Sequence, residues 1–291
     1  MVSKKLIIIT AVLAIASLAC SVTLNAPTVD VVTGPTVTED ILVESLDTVE
    51  ATKVELNFGA GQLFLEPGAS ALIEGTATYN VEELQPEVDS SNERVLISTG
   101  DNSFTLDFNS IPNFTIDDIE NRWDLQLGED IIDLVIQSGA YEGDMELGGL
   151  ALENLTISDG AADVKVTFSE VNPVEMTQLN YDSGASNIEL SGLANANFGY
   201  MSFDAGLGDY TLDFSGELQQ DAIVDVVAGL SNVTIIVPEG TDVVVNIDAG
   251  LANVDTSGDW SRSGGNYTMD GEGPTLIINV DIGAGNLELQ N

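Results

Sequence analysis

The sequence predicts an all-β repeat fold, a β-solenoid of roughly 22-residue coils with mainly parallel strands, and two observations carry that prediction. A short motif returns eight times: a glycine, three small or polar residues, then two apolar residues two apart, with anchors at Gly59, Gly128, Gly160, Gly184, Gly206, Gly229, Gly250 and Gly283. Apolar residues also alternate with period two on both sides of each glycine, which is strand spacing and not the 3.6 spacing of a helix.

Five before the anchors stand Val54, Trp123, Leu155, Leu179, Met201, Val224, Val245 and Ile278; four after them stand Leu63, Ile132, Val164, Ile188, Tyr210, Val233, Val254 and Leu287. Core positions are therefore odd before the glycine and even after it, so the chain turns a corner there, where a residue without a β-carbon fits best. From Gly160 to Gly250 the anchors lie 24, 22, 23 and 21 apart, one coil per repeat. Neighbouring coils would pair as parallel strands about 4.8 Å apart and bury the apolar columns in one continuous core. The competing architecture is an antiparallel β-sandwich, whose strand interval half a repeat also matches. Three residues after most anchors comes Asn, Asp or Gln (Asn187, Asp209, Asn232, Asn286), a column suited to a side-chain ladder along the coils.

Met1 to Cys20 reads as a signal segment: Lys4 and Lys5, an apolar run from Leu6 to Ala16, then Ser17-Leu18-Ala19-Cys20. The run is shorter than the about 20 apolar residues a spanning helix needs and fits a secretory h-region. It resembles the bacterial lipoprotein signal, which implies a signal peptide over 1–19 and lipid modification of Cys20. That cysteine is the chain's only one, so no intramolecular disulfide can form. Residues 20–45 read as a lipid-anchored tether that holds the folded part off a membrane. Residues 46–291 then form a single all-β repeat domain, with insertions near 68–122, 138–149 and 257–274. The last insertion is glycine-rich and carries Trp260, Arg262 and Tyr267, candidate binding residues on a loop face.

The chain carries 48 acidic and 7 basic residues, a formal charge of −41, and loss of the signal segment leaves 5 basic residues and −43. Nucleic acid is excluded as a direct partner, since its recognition needs basic patches. Part of the acid is ordered: Asp182, Asp204, Asp248 and Asp281 each lie two before an anchor, facing away from the core. Stacked at strand spacing, two such charges repel by roughly 0.9 kcal/mol even at the dielectric of water. Calcium would relieve that repulsion, so these four are candidate metal ligands; no other cofactor is expected. With no histidine, Ser-His-Asp and Cys-His catalysis and His/Cys zinc sites are absent, so no catalytic residue is assigned. Paired carboxylates could still hydrolyse glycosides, and a β-solenoid enzyme acting on polysaccharide is the alternative function.

The anchors with their flanks, as in Val54–Leu65 (VELNFGAGQLFL) and Ile277–Leu289 (IINVDIGAGNLEL), resemble the toast-rack family and the related putative-adhesin and cell-wall stress-response domains of bacteria. The resemblance covers Leu46 to the end of the chain. It implies a solenoid-like domain at the bacterial cell envelope, exported or membrane-tethered, with a structural, adhesion or sensing role and no catalytic residues. The partners expected are the membrane, through the lipid, and an envelope glycan or protein.

Overall fold

A computed structural model describes residues 33–46, 50–91, 93–99 and 119–291. Cys20 and residues 20–32 of the expected tether lie outside these residues; the rest of that stretch is not a free tether, because Thr33–Val43 is a strand that pairs antiparallel with Ile73–Val81 and buries Ile41 and Val43 in the core. Sixteen strands form one sheet: β1 (Thr33–Val43), β2 (Thr52–Pro67), β3 (Ile73–Val81), β4 (Pro86–Ser90), β5 (Arg94–Thr99), β6 (Asn121–Leu127), β7 (Ile132–Glu146), β8 (Leu152–Thr167), β9 (Met176–Ser191), β10 (Phe198–Asp213), β11 (Ala222–Ile236), β12 (Asp242–Asp248), β13 (Asn253–Ser257), β14 (Ser261–Ser263), β15 (Asn266–Met269) and β16 (Thr275–Gln290). From β2 through β7, β8, β9, β10 and β11 to β16 every pairing is parallel, as a coil-on-coil stack requires and an antiparallel sandwich does not. Among the described residues antiparallel pairs occur only at the ends, among β1, β3 and β6, between β4 and β5, and among β12, β15 and β14.

Each long strand bends at its glycine into two arms, and the inward side chains of both arms meet in one core. Within β10, Phe203 before the corner packs edge-on against Tyr210 after it, ring centroids 5.3 Å apart. Phe58 of β2 reaches Trp123 of β6 in the same way at 5.0 Å. At the first coil the arms part company: the first half of β2 pairs with β5 and the second half with β6.

The corner glycines stack on one another. A β-carbon on Gly184 would stand 2.3 Å from the Gly160 carbonyl oxygen, one on Gly206 2.4 Å from that of Gly184, and one on Gly229 2.6 Å from that of Gly206. Real β-carbons do not approach an oxygen so closely, so the column admits hydrogen alone. Its requirement is space at the close approach, and most of its members need no left-handed backbone.

Seven of the eight sequence anchors occupy this column; Gly128 does not. Gly128 closes β6, and the corner of the next coil is Gly139 inside β7, where a β-carbon would meet the Gly59 carbonyl oxygen at 2.8 Å. The pattern around Gly128 misleads because β6 precedes it and the first arm of β7 follows it, so two different strands supply the two alternations. The stretch 138–149, read as an insertion, thus begins with a corner and continues as strand to Glu146.

Chain order and stacking order also part at the last coil. β16 lies between β11 and β12, parallel to both, so Val280 pairs with Val226 on one side and Ile247 on the other. Gly283 therefore stacks on Gly229, and Gly250 on Gly283. The 21-residue interval from Gly229 to Gly250 suggests direct stacking, but the C-terminal strand takes that place and β13 becomes the end of the second arm.

Gly184→Ala is expected to destabilise the fold by about 1–3 kcal/mol through overpacking in urea denaturation. Gly199→Ala, where nothing lies within 4 Å of the added carbon, should stay within about 0.5 kcal/mol of the parent. Removing residues 275–291 uncovers the inward columns of both β11 and β12, and should produce strong binding of a hydrophobic dye with loss of amide protection in β12 and β15.

Candidate functional site

The four acids two before the corners form two adjacent pairs on the outer face of the first arm. Asp182 is in register with Asp204 across β9 and β10, and Asp248 with Asp281 across β12 and β16; Val227 of β11 separates the pairs. Partial burial, with the charge of Asp204 added, holds the Asp182 carboxyl above its ordinary value, which agrees with the repulsion expected at strand spacing. Each pair supplies two carboxylates. No group of three or more acidic or cysteine side chains arranged to hold a metal ion occurs among the described residues.

Beside these acids runs a second outward column that ties the last coils together. Asn246 donates to Asn279 at 2.9 Å, Asn279 to Asp225 at 2.8 Å, and the Tyr200 hydroxyl to the other oxygen of Asp225 at 2.8 Å. The ladder expected after the corner forms on the opposite arm, Asn286 to Asn232 at 2.8 Å and Asn232 to Asp209 at 2.7 Å. Both columns spend their polarity on neighbouring rungs.

The residues of the glycine-rich insertion end up at the far end of the first arm, in the β14–β15 hairpin and just before it. Tyr267 is buried against the core, with the Arg262 guanidinium over its ring at 5.1 Å and Arg262 Nε donating to the Gly264 carbonyl at 3.2 Å. Trp260 is half-buried on the same core. The three are close together, but their ring faces serve to cap the apolar interior. The scattered basic residues are largely engaged as well: Lys53 and Arg94 both pair with Glu55, and Arg122 pairs with Asp124 while lying 4.0 Å over the Phe64 ring.

One polar cluster points inward. Asp159 stands one residue before the Gly160 corner, in the column that elsewhere holds Phe58, Ala205, Ala228 and Ile282. Its carboxylate accepts the Tyr181 hydroxyl at 2.8 Å and the Ser183 hydroxyl at 2.5 Å, with Ser186 at 3.2 Å. Ser186 in turn accepts the Ala162 amide at 2.9 Å. Burial pushes the Tyr181 and Tyr141 phenols well above the ordinary tyrosine value, and Asp159 adds to both shifts. A shallow groove beside the corner exposes one side of this carboxylate between Ser138, Ser158 and Gly160.

With this geometry established, comparison with known proteins gives a family. The sequence profile of the N-terminal domain of toast_rack matches residues 32–191, more than half of the chain. The chain belongs to the toast-rack family. No curated protein matches it. Among solved structures, a putative cell adhesion protein from Clostridium sporogenes is 18% identical, with 88% of this chain and 99% of that one covered and a TM-score of 0.47. A putative adhesin from Parabacteroides merdae is 11% identical over 88% and 98% of the two chains, with a TM-score of 0.38. A putative lipid binding protein from Parabacteroides distasonis is likewise 11% identical over 87% and 96%, with a TM-score of 0.32.

In this toast-rack chain the Asp159 cluster escaped the sequence reading, although its signal is there: an acid one residue before an anchor falls on the inward face. Asp159→Ala strands buried hydroxyls and should cost about 2–3 kcal/mol, whereas Asp159→Asn, which keeps an acceptor, should cost about 1 kcal/mol, both read by urea denaturation. Tyr79, which donates to Glu39 at 2.8 Å, is pushed up to about 12 by burial and by that carboxylate. The unfolded chain releases tyrosine protons first, so stability should decline as the pH rises from 10 through about 12. Asp182 has the same sign at the acidic end: its repulsion is present at neutral pH and disappears as the carboxyl protonates. Asp204→Asn should therefore raise stability at pH 7 by a few tenths of a kcal/mol, up to about 0.9, with the gain shrinking in acid and in high salt.

Proposed function

We propose that the chain is a non-enzymatic interaction module of the bacterial cell envelope, held at a membrane by lipid on Cys20. It acts outside the cytoplasm in an adhesion, sensing or structural role. The observation that carries this reading is the separation of rings from acids. The ring faces of Trp123, Tyr181, Tyr210, Phe58 and Phe203 are all in the core, while the acids, the inward Asp159 apart, are dispersed over the outer faces of both arms. A polysaccharide-cleaving site would instead gather carboxylates and a stacking ring in one cleft. Asp182 and Asp204 sit on an open sheet face between Ser158 and Val227.

The tether follows from the signal-like segment and from charge. A domain of −43 is repelled by anionic membrane surfaces, so attachment calls for a covalent anchor, and several acyl chains on one residue suffice. Cys20→Ala should move the protein from the membrane fraction to the soluble fraction and abolish incorporation of radiolabelled palmitate. The purified chain should release no reducing ends from envelope polysaccharides. Steady release, lost on substitution of Asp182 or Asp204, would replace this reading with the hydrolase.

A further inference from the structure

The residue directly after each corner glycine points outward along the bend. On the early rungs it is Ala60, Ala140, Ala161 and Ala185; on the later ones it is Leu207, Leu230, Ala284 and Leu251. Leu207 and Leu230 are register partners, 52% and 60% exposed, Leu230 pairs with Ala284, and Leu251, 89% exposed, donates its amide to the Gly283 carbonyl beside Ala284. Val227, three residues before Leu230, is 47% exposed on the flank. Leucines on a solvent-facing bend contribute nothing to the core, and the alanines of the early rungs show that the corner does not require them. A contiguous apolar row on such an acidic chain marks a contact surface.

The surroundings of the row define what would cover it. On one side run Asp204, Asp281 and Asp248; on the other run Asp209, Asn232, Asn286 and Asn253. An occupant must therefore be apolar along a seam and basic on the flank that faces Asp204, Asp281 and Asp248, while the amide-rich flank asks for no charge. The stretches 21–32 and 100–118 contain no lysine or arginine, and a second copy brings the same excess of acid. Anionic membrane is repelled for the same reason. The spacing points to a helix, whose side chains at i and i+3 or i+4 recur about every 5.4 Å, close to the about 4.8 Å between rungs. Over four rungs the two repeats drift apart by less than about 2 Å, and Ala284 leaves a notch between Leu230 and Leu251 for a larger side chain.

We propose that Leu207, Leu230 and Leu251, with Val227 on their flank, form the docking face for a cationic amphipathic helix of a protein partner. The helix lies along the stack, its apolar stripe on the leucines and its lysines or arginines facing the column of Asp204, Asp281 and Asp248. Apolar contact supplies selectivity for the amphipathic pattern, and the acids accelerate encounter. This deepens the reading of the chain as an interaction module and rests on it.

The test uses the full chain and two labelled peptides of about 18 residues, identical in Leu and Lys composition, one with the leucines on a single helical face and one scrambled. At physiological salt, fluorescence anisotropy should show the amphipathic peptide binding at least about tenfold tighter than the scrambled one. Combined L207S, L230S and L251S, all at exposed sites, should leave the thermal midpoint unchanged and erase that preference. Combined D204N, D248N and D281N should weaken both peptides alike. Equal binding of the two peptides to the parent chain, or a preference that survives loss of the leucines, would overturn the proposal. So would leucine-dependent binding to phosphatidylcholine vesicles without any peptide preference, which would assign the row to lipid. None of these outcomes alters the palmitate and hydrolysis results, so the interaction-module reading stands or falls separately.

Discussion

The structure depends on a close approach. At each bend a glycine carbonyl oxygen occupies the place where the next rung's β-carbon would be, and only hydrogen fits. This constraint also sets register. A one-residue slip of any long strand would bring a β-carbon against that oxygen and turn every inward side chain of both arms to the outside. Pairing on the first arm and pairing on the second are thereby fixed together by a single residue.

With register fixed, the inward columns of both arms share one apolar interior, and the strands need nothing from their outer faces for burial. Those faces are free to carry acid, and they do. The cost is repulsion between neighbouring rungs, reduced by amide ladders such as Asn246–Asn279–Asp225, and left in place at Asp182–Asp204. Where a rung breaks the inward rule, as Asp159 does, three hydroxyls converge on the exception and satisfy it. The bend itself, free of core duties on its outer side, is where exposed leucines accumulate.

Much of this was legible in the sequence. The alternation around Gly160 through Gly250 encodes strands, bend and inward faces, because burial demands period two and the corner demands the smallest residue. Gly128 was misread since a pattern of apolar columns cannot tell one bent strand from two strands that meet at a glycine. The place of β16 between β11 and β12 was hidden for a related reason: its apolar and amide columns match those of both neighbours, so local sequence does not specify which rung it joins. Tyr267 looked available as a ring in a glycine-rich loop, but the hairpin folds back over the open end of the core and buries it. Asp159 was readable by its offset from the glycine; the grouping of Tyr181, Ser183 and Ser186 around it required the register of β8 against β9.

The central claim is that the corner glycines form one column in the order Gly160, Gly184, Gly206, Gly229, Gly283, Gly250. Through-space Hα–Hα contacts between glycines, measured by nuclear magnetic resonance on the isotopically labelled chain, read that order directly. The account predicts contacts from Gly229 to Gly283 and from Gly283 to Gly250. A direct Gly229 to Gly250 contact, or corner glycines with no mutual contacts at all, would contradict it.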